Sequence, residues 1–135
     1  MDECTDKMNI DEYVDILSSD NSVYREVLAE TSLLITDYSA AAFDFAYLKK
    51  PVLYLQADKE EFLGGKHIYD QGYFDYERDG FGEVTYSIDT MINLIIEYVK
   101  SDCKVKEKYK RRIESTFINY DKKNVKRVFD EILKL

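Results

Sequence analysis

The sequence predicts an α/β fold, a parallel sheet with helices on both faces followed by a C-terminal helical segment. Apolar runs near residues 13–17, 33–37 and 52–55 alternate with segments of helical spacing, which is typical of parallel strands joined by helical crossovers. The run at 33–37 is continuous, as in a strand buried on both faces. Pro51, the only proline, stands where the third run begins, a position at which a strand tolerates its missing N–H.

Local signals justify the remaining elements of this sheet layer. Apolar residues four and five positions apart predict a helix over 22–30. Ser39 is a good N-cap for a second helix, over 39–47, and the two lysines at 49–50 suit its negative end. A short fourth strand is expected near 83–86. We also expect an exposed sheet edge, through which the chain could self-associate.

Three helices are expected to end the chain, each with an apolar stripe that faces the core. Ser87 is expected to cap the first of them and Asp121 the third. The stripes are Ile88, Met91, Ile92, Ile95 and Val99; Val105, Tyr109, Ile113 and Phe117; and Val125, Val128, Phe129 and Ile132.

The composition and length of the chain exclude several classes of structure and function. The 135 residues include 27 acidic and 19 basic side chains, a net charge of −8 at pH 7. That length predicts one domain over 1–135, and the acidic balance disfavours nucleic acid as the main partner. We expect no membrane span and no signal peptide. Cys4 and Cys103 stand far apart, outside any metal-binding spacing, so we expect no disulfide framework, no zinc site and a reducing cytoplasm.

The charge is unevenly distributed along the chain. Residues 104–135 hold 11 basic and 5 acidic side chains, a net +6, whereas residues 1–103 carry −14. We interpret the basic run as solvated helix faces. The alternative is a cationic end that faces an anionic polymer or a membrane surface.

Three stretches are candidates for chemistry because ligands of open parallel sheets bind beyond the carboxyl ends of the strands. They are residues 18–19, residues 36–40 and the loop at 56–82, which contains all five glycines and many aromatic residues. A loop of that length is usually functional or disordered, and its aromatics favour an ordered one. In the middle stretch the N–H groups and hydroxyl at Ser39 could bind a phosphate, and Asp44 a ribose. An ordinary strand–helix link, capped by polar side chains, explains the same residues equally well.

Five segments make this chain resemble the CDP-glycerol glycerophosphotransferases, bacterial enzymes that build the poly(glycerol phosphate) of teichoic acids. The likeness covers about residues 13–130, and a weaker one extends to GT-B glycosyltransferases and UDP-sugar 2-epimerases. The segments are LITDYSA at 34–40, FDFAYL at 43–48, KPV at 50–52, GYFDYERDGFGE at 72–83 and YDKKN at 120–124.

The resemblance implies a role for each matching residue. Ser39 and the N–H groups of Ala40 and Ala41 would hold the donor's diphosphate, and Asp44 would bind its ribose. The family commonly has a second serine where this chain has Ala40, which removes one hydroxyl and leaves the backbone donor.

Four further residues are candidates for the surroundings of the nucleotide. Ser18 and Ser19 would lie near it in the family, and Thr36 and Asp37 belong to the turn that carries the motif. On pattern alone, Asp37 is equally a capping residue.

Two other features have both a chemical and a structural interpretation. His67, the only histidine, could act as a general base, but no neighbouring spacing suggests a triad, and we interpret it as a loop histidine. Asp75, Glu77 and Asp79 alternate, as metal ligands or acid–base groups do, but a solvated acidic loop has the same pattern. We therefore assign no metal and no cofactor.

The resemblance implies a donor-binding domain, the last part of the second Rossmann-like domain of a larger enzyme. In such an enzyme an acceptor hydroxyl, on teichoic acid or lipid-linked glycerol phosphate, attacks the β-phosphate of CDP-glycerol and CMP leaves. The full enzyme would be cytoplasmic and peripheral at the inner face of the membrane, and this chain alone would bind donor without turning it over. The alternatives are a non-catalytic interaction or regulatory domain and a sugar-nucleotide-binding domain.

Overall fold

The computed structural model describes Val14, residues 21–63 and residues 72–135. The chain forms two compact units, residues 1–31 and residues 32–135. In the first unit, helix α1 spans Asn21–Glu30, which confirms the helix predicted at 22–30. The strand predicted at 13–17 lies outside the described residues.

The second unit holds the α/β layer that the sequence predicts. Its elements, in chain order, are β1 Leu34–Thr36, α2 Ala41–Tyr47, β2 Val52–Leu55, α3 Lys59–Leu63, α4 Tyr76–Asp79, β3 Gly82–Thr85, α5 Ile88–Lys100, α6 Glu107–Thr116 and α7 Asn124–Ile132. Two short helices, α3 and α4, therefore stand within the stretch that was expected to be a loop. None of the helices in the described ranges has the length and apolar character that a membrane crossing requires.

The three strands form a parallel sheet, as predicted, and their order is β1-β2-β3. Strand β1 was expected to be buried on both faces, which is wrong, because Ile35 is 45% exposed at the edge of the sheet. Leu34 lies opposite Val52, and Val52 lies opposite Gly82 on its other side. Gly82 must be a glycine, because a Cβ there would stand 1.6 Å from the carbonyl oxygen of Val52. Among the described strands β1 has a partner on one side only, and self-association through its other edge stays a prediction.

Two clusters of buried residues form the core of this unit. In one, Leu53 of β2 packs with Met91 and Tyr98 of α5, and all three are buried. In the other, Ala46 of α2 packs with Phe81 and Ile113.

Helix α2 ends in a Schellman motif, in which two N–H groups turn back to carbonyls of the last turn. Lys50 N–H donates to Phe45 O and Lys49 N–H to Ala46 O, each at 2.9 Å. Lys49 itself adopts φ 57°, a left-handed conformation in which glycine is usual. This turn returns the chain to the amino end of the sheet, where Pro51 leads into β2.

The stripe of α6 is confirmed, since Tyr109 and Ile113 are buried, but the stripes of the other two helices are partly wrong. On α5, Met91 is buried, but Ile88, Ile92 and Val99 are 65%, 49% and 63% exposed. The face that packs on the sheet runs instead through Met91, Leu94, Ile95 and Tyr98.

Helix α7 does not face the core at all. It has no buried residue, and Val125, Val128, Phe129 and Ile132 are each more than half exposed. Amphipathic spacing identifies an apolar face but not the surface that covers it.

The capping predictions had mixed outcomes. Ser87 stands at the N-cap of α5, as predicted, although its side chain makes no capping bond. Asp121 does not cap α7: Lys123 holds that position, and Asp121 accepts the Lys123 N–H from two residues upstream. Helix α2 begins at Ala41, two residues after the predicted start, with Ala40 in the cap position.

Candidate functional site

The turns that follow β1, β2 and β3 meet at one side of the sheet, which we call the carboxyl edge. Because the strands are parallel and adjacent, Thr36, Leu55 and Thr85 all end there. Ligands of open parallel sheets bind at such an edge. Two of the three predicted stretches, residues 36–40 and the start of 56–82, therefore lie in one place.

The turn after β1 is fixed by its own polar side chains. Asp37 Oδ1 accepts the N–H of Tyr38 at 2.6 Å, and Ser39 Oγ accepts the N–H of Ala41 at 3.2 Å. The N–H groups of Ala42 and Phe43 donate to the carbonyls of Ser39 and Ala40. The polar side chains of this turn thus bond to its own backbone, as an ordinary strand–helix link would require, and the ligand-binding interpretation stays a prediction.

Two donors of this turn remain available. Among the described residues, no partner accepts the N–H of Ser39 or of Ala40, and both residues are exposed. The Ala41 N–H, by contrast, is engaged by the Ser39 hydroxyl. Backbone donors that point to solvent beside a hydroxyl can bind an anionic oxygen.

Asp44 lies in the first turn of α2. It is exposed, whereas Ala42, Phe45 and Ala46 of the same helix are buried against the unit's interior. Its carboxylate therefore faces solvent and can reach a ligand. Asp37 is exposed as well, and Thr36 is half-buried.

Tyr38 connects this turn to the turn after β2. Its ring stacks on the ring of Phe62, with centroids 3.7 Å apart and planes 3° from parallel. Its hydroxyl donates to Asp58 Oδ1 at 3.2 Å. Burial raises the pKa of Tyr38, and the hydrogen bond to the Asp58 carboxylate raises it further, so the phenol stays protonated and keeps donating.

Tyr76 connects the same turn to α4. Its hydroxyl donates to the Tyr38 carbonyl at 3.1 Å, and its ring meets the rings of Tyr38 and Tyr54 edge to face. Burial raises the pKa of Tyr76, and the negative charge of Asp37 adds to the effect. The turn after β1 is thus hydrogen-bonded to the turn after β2 on one side and to α4 on the other.

Lys59, Tyr86 and Glu77 form a second link across the edge. Lys59 Nζ donates to Tyr86 Oη at 3.0 Å and lies 3.5 Å from a Glu77 oxygen. Tyr86 Oη donates to that same oxygen. The hydrogen bond with Tyr86 raises the pKa of Lys59 and, on the other side, lowers the pKa of Glu77. Lys59 and Glu77 thus form an ion pair that links the turn after β2 to α4 across the edge.

The alternating acids of the loop have separate structural partners. Asp75 caps α4 by accepting the Arg78 N–H at 2.7 Å. Asp79 pairs with the Arg78 guanidinium at 2.6 Å, a hydrogen bond that lowers the pKa of Asp79 to about 2. Within the described ranges, no three His, Cys, Asp or Glu side chains gather closely enough to hold a metal ion.

Gln56, the residue after β2, has an unsatisfied buried amide. It is 1% exposed, and within the described part of the chain neither its side-chain nitrogen nor its side-chain oxygen has a hydrogen-bond partner. Leaving such a group unpaired is costly. The carboxyl edge therefore keeps unused donor and acceptor capacity directly after its central strand.

Sequence reasoning located the edge but missed Tyr38, Lys59, Tyr76 and Gln56. The one available signal was the density of aromatic and acidic residues in 56–82, which predicted an ordered loop without indicating its contacts. Ser18, Ser19 and His67 lie outside the described residues, so their predicted roles remain predictions.

Comparison with known proteins identifies the family that this chain matches. Residues 3–134 match the family described as CDP-glycerol:poly(glycerophosphate) glycerophosphotransferase. The minor teichoic acid biosynthesis protein GgaB of Bacillus subtilis is 36% identical over 115 residues, which is 85% of this chain and 12% of that protein. No solved structure matches the chain significantly.

Other relatives have related names. A teichoic acid poly(ribitol-phosphate) polymerase of Bacillus spizizenii is 32% identical over 84% of this chain and 18% of its own length. A teichoic acid poly(glycerol phosphate) polymerase of Bacillus subtilis is 35% identical over 60% of this chain and 10% of its own length. The chain thus spans between a tenth and a fifth of the length of these relatives.

Proposed function

The chain belongs to the CDP-glycerol:poly(glycerophosphate) glycerophosphotransferase family, and we propose that it is a part of such an enzyme that binds the nucleotide-activated donor, CDP-glycerol. Residues 1–135 would contribute to one nucleotide-binding domain of a larger, GT-B-like enzyme in teichoic acid synthesis. The full enzyme would act at the inner face of the membrane, on a teichoic acid or lipid-linked glycerol phosphate acceptor. The confirmed family membership and the relatives' names support this proposal.

The observation that carries the site is the turn after β1. It presents the unengaged N–H groups of Ser39 and Ala40 beside the Ser39 hydroxyl, at the carboxyl edge and inside the motif that resembles the family. The diphosphate would accept hydrogen bonds from these groups. The Ala41 N–H would join them only if the Ser39 hydroxyl turned from it to the ligand.

Asp44 would accept hydrogen bonds from the ribose hydroxyls, since its carboxylate is exposed in the first turn of the same helix. Lys59 would balance part of the donor's negative charge from the neighbouring turn. Its ammonium is held in place by Tyr86 and Glu77, so it needs little reorganisation to act on a charged ligand.

Phosphoryl transfer depends mainly on positioning and charge neutralisation. In the reaction a hydroxyl oxygen of the acceptor bonds to the β-phosphorus, the bond from that phosphorus to the bridging oxygen breaks, and CMP leaves. The groups of the carboxyl edge would hold the diphosphate in line for this attack. We expect that the chain alone does not perform the transfer.

Calorimetric titration with CDP-glycerol tests the proposal. Asp44→Ala should weaken binding about tenfold to a hundredfold, the equivalent of about 1.5–3 kcal/mol for hydrogen bonds to a charged group. Ser39→Ala should weaken it less, because the backbone donors remain. Asp102→Asn is the matched control, since Asp102 is an exposed aspartate just beyond the opposite end of α5, and its loss should leave the affinity unchanged.

The same titration separates the alternatives. Equal affinity of wild type and Asp44→Ala for CDP-glycerol would refute the site. Tighter binding of UDP-sugars than of CDP-glycerol would favour a sugar-nucleotide enzyme. Absence of binding to every nucleotide would favour a non-catalytic interaction or regulatory domain.

A further inference from the structure

A second concave surface lies at the opposite end of the sheet. It is a cleft of about 440 Å³, within the size range of ligand sites, and we call it the amino-end cleft. Its walls include Lys49, Cys103, Lys104 and Lys110. Lys49 comes just before β2, and α5 runs back from the carboxyl edge to end beside it, so the cleft belongs to the amino ends of the strands.

Two helix ends of the same kind build its walls. Lys49 is the left-handed residue that ends α2, as described above. Helix α5 ends in the same way: Cys103 N–H donates to Tyr98 O at 2.8 Å, and Asp102 N–H donates to Val99 O at 3.1 Å. Asp102 and Cys103 adopt φ 60° and 49°. Both turns are fixed by hydrogen bonds, so Lys49 and Cys103 are held at the wall by the backbone.

The cleft carries positive charge that the described residues do not neutralise. Lys49, Lys104 and Lys110 come from three separate segments, and none of the carboxylates in the described ranges forms an ion pair with them. Lys49 instead lies 5.0 Å from the ring centre of Tyr120, which leaves its charge in place.

Two carboxylates also line the cleft. Glu107 is paired with Arg111 at 3.4 Å, so its charge is already balanced. Glu114 forms no ion pair among the described residues. Three ammonium groups outweigh one unbalanced carboxylate and the partial negative charges at the ends of α2 and α5, about −0.5 each, so the cleft keeps a small net positive charge.

We propose that the amino-end cleft binds phosphate groups of a polyol phosphate polymer, at a distance from the donor site. The identification of the polymer rests on the proposed function. Ammonium groups from several segments suit the regularly spaced monoanionic phosphates of such a chain.

Position and shape favour a polymer over other anions. The four residues of β2 alone separate the two ends of the sheet by about 13 Å, so one small donor molecule does not occupy both. A flexible polymer can bind at the cleft while its end lies elsewhere. A bilayer presents a broad surface, whereas these lysines surround a concavity.

Cys103 provides a reporter inside the cleft. Its thiol is partly exposed, and in a Cys4→Ser background it is the one remaining cysteine. An anionic aromatic disulfide reagent would be attacked by the Cys103 thiolate, forming a mixed disulfide and releasing a coloured thiolate. The rate of release is measured with and without short poly(glycerol phosphate), with an uncharged maleimide as the control reagent.

We expect the polymer to protect Cys103 from both reagents, and glycerol phosphate at the same phosphate concentration to protect it much less. Lys104→Gln and Lys110→Gln should each weaken protection about three- to tenfold, and Glu114→Gln should strengthen it. Lys123→Gln is the matched control, since this exposed lysine of the same basic run is not part of the cleft.

Several outcomes would overturn the proposal. The first two are a Cys103 reaction rate that the polymer does not lower and a rate that glycerol phosphate lowers as much as the polymer does. The others are an effect of Lys123→Gln as large as that of Lys104→Gln or Lys110→Gln, and a rate that anionic vesicles lower but the polymer does not. Binding of CDP-glycerol without polymer protection would leave the proposed function standing and refute only the cleft. Protection of Cys103 by the polymer without binding of CDP-glycerol would support the cleft and refute the proposed donor binding.

Discussion

Tyr76→Phe removes one oxygen atom and tests how the turn after β1 is held. That oxygen donates to the Tyr38 carbonyl at 3.1 Å. The ring contacts of Tyr76 with Tyr38, Tyr54 and Phe74 are kept by phenylalanine. The substitution therefore isolates the hydrogen bond from the packing.

The expected loss of unfolding free energy is about 1 kcal/mol, within the 0.5–1.5 kcal/mol range for one intramolecular hydrogen bond. The freed Tyr38 carbonyl belongs to the turn that carries the unengaged N–H groups of Ser39 and Ala40. If the same energy holds that turn in its binding conformation, the affinity for CDP-glycerol should fall about fivefold.

The assay pairs urea unfolding with calorimetric titration of CDP-glycerol. Tyr73→Phe is the control, because Tyr73 lies in the same segment and is 94% exposed, so its loss of a hydroxyl should change neither quantity. Unchanged stability of Tyr76→Phe would refute the energetic role of the bond. Reduced stability with unchanged affinity would show that the bond supports the fold and not the site.

Three other predictions concern the sheet and its two cores. Gly82→Ala should destabilise the chain by more than about 4 kcal/mol because its Cβ would meet the Val52 carbonyl at 1.6 Å, and loss of the folded circular dichroism signal would show it. Burial raises the pKa of Tyr54 to about 12, so the unfolded chain releases this proton first, near pH 10. The unfolding free energy therefore falls by about 2–3 kcal/mol as pH rises from 10 to 12. The melting temperature of Tyr54→Phe should fall less steeply over that range than the melting temperature of the wild type. Ile113→Ala should cost about 2–5 kcal/mol and Ile132→Ala less than about 0.5 kcal/mol, since these isoleucines are 1% and 59% exposed; equal costs in urea unfolding would contradict the burial described.

The sheet could be predicted because each of its signals is local. A continuous apolar run, a polar turn and a proline at a strand start depend on neighbours in the chain, and parallel pairing follows from the helical crossovers between the runs. The two short helices of the 56–82 stretch lack such a signal. Helix α4 has four residues and is set by one capping carboxylate, that of Asp75.

The buried faces of the helices could not be predicted in the same way. Helix α5 is apolar around much of its circumference, so its spacing is consistent with more than one buried face. The face that packs includes Tyr98, whose hydroxyl donates to Glu83 at 2.8 Å across to β3. Because Glu83 satisfies the hydroxyl, the tyrosine can be buried at little cost. The spacing of apolar residues along the helix does not reveal such a hydrogen-bond partner.

For the candidate site too, one part could be predicted from the sequence and another could not. Topology predicts where the ends of parallel strands meet, and this placed residues 36–40 correctly. It does not predict how the polar groups there share their hydrogen bonds. Ser39 Oγ accepts the Ala41 N–H, so that among the described residues the N–H groups of Ser39 and Ala40 are the ones left without an acceptor.

The contacts of the carboxyl edge connect segments that are far apart in the chain. Tyr38 is 20 residues from Asp58 and 38 from Tyr76 in the chain, and it is hydrogen-bonded to both. Bringing such separated segments together has an entropic cost that grows only slowly with loop length, so a few aromatic contacts and hydroxyl hydrogen bonds can offset it. Since both bonds converge on the residue that precedes Ser39, any group that fixes the turn after β1 also stabilises the turn after β2 and helix α4. A ligand held by the Ser39 and Ala40 N–H groups would therefore reduce hydrogen exchange as far away as α4.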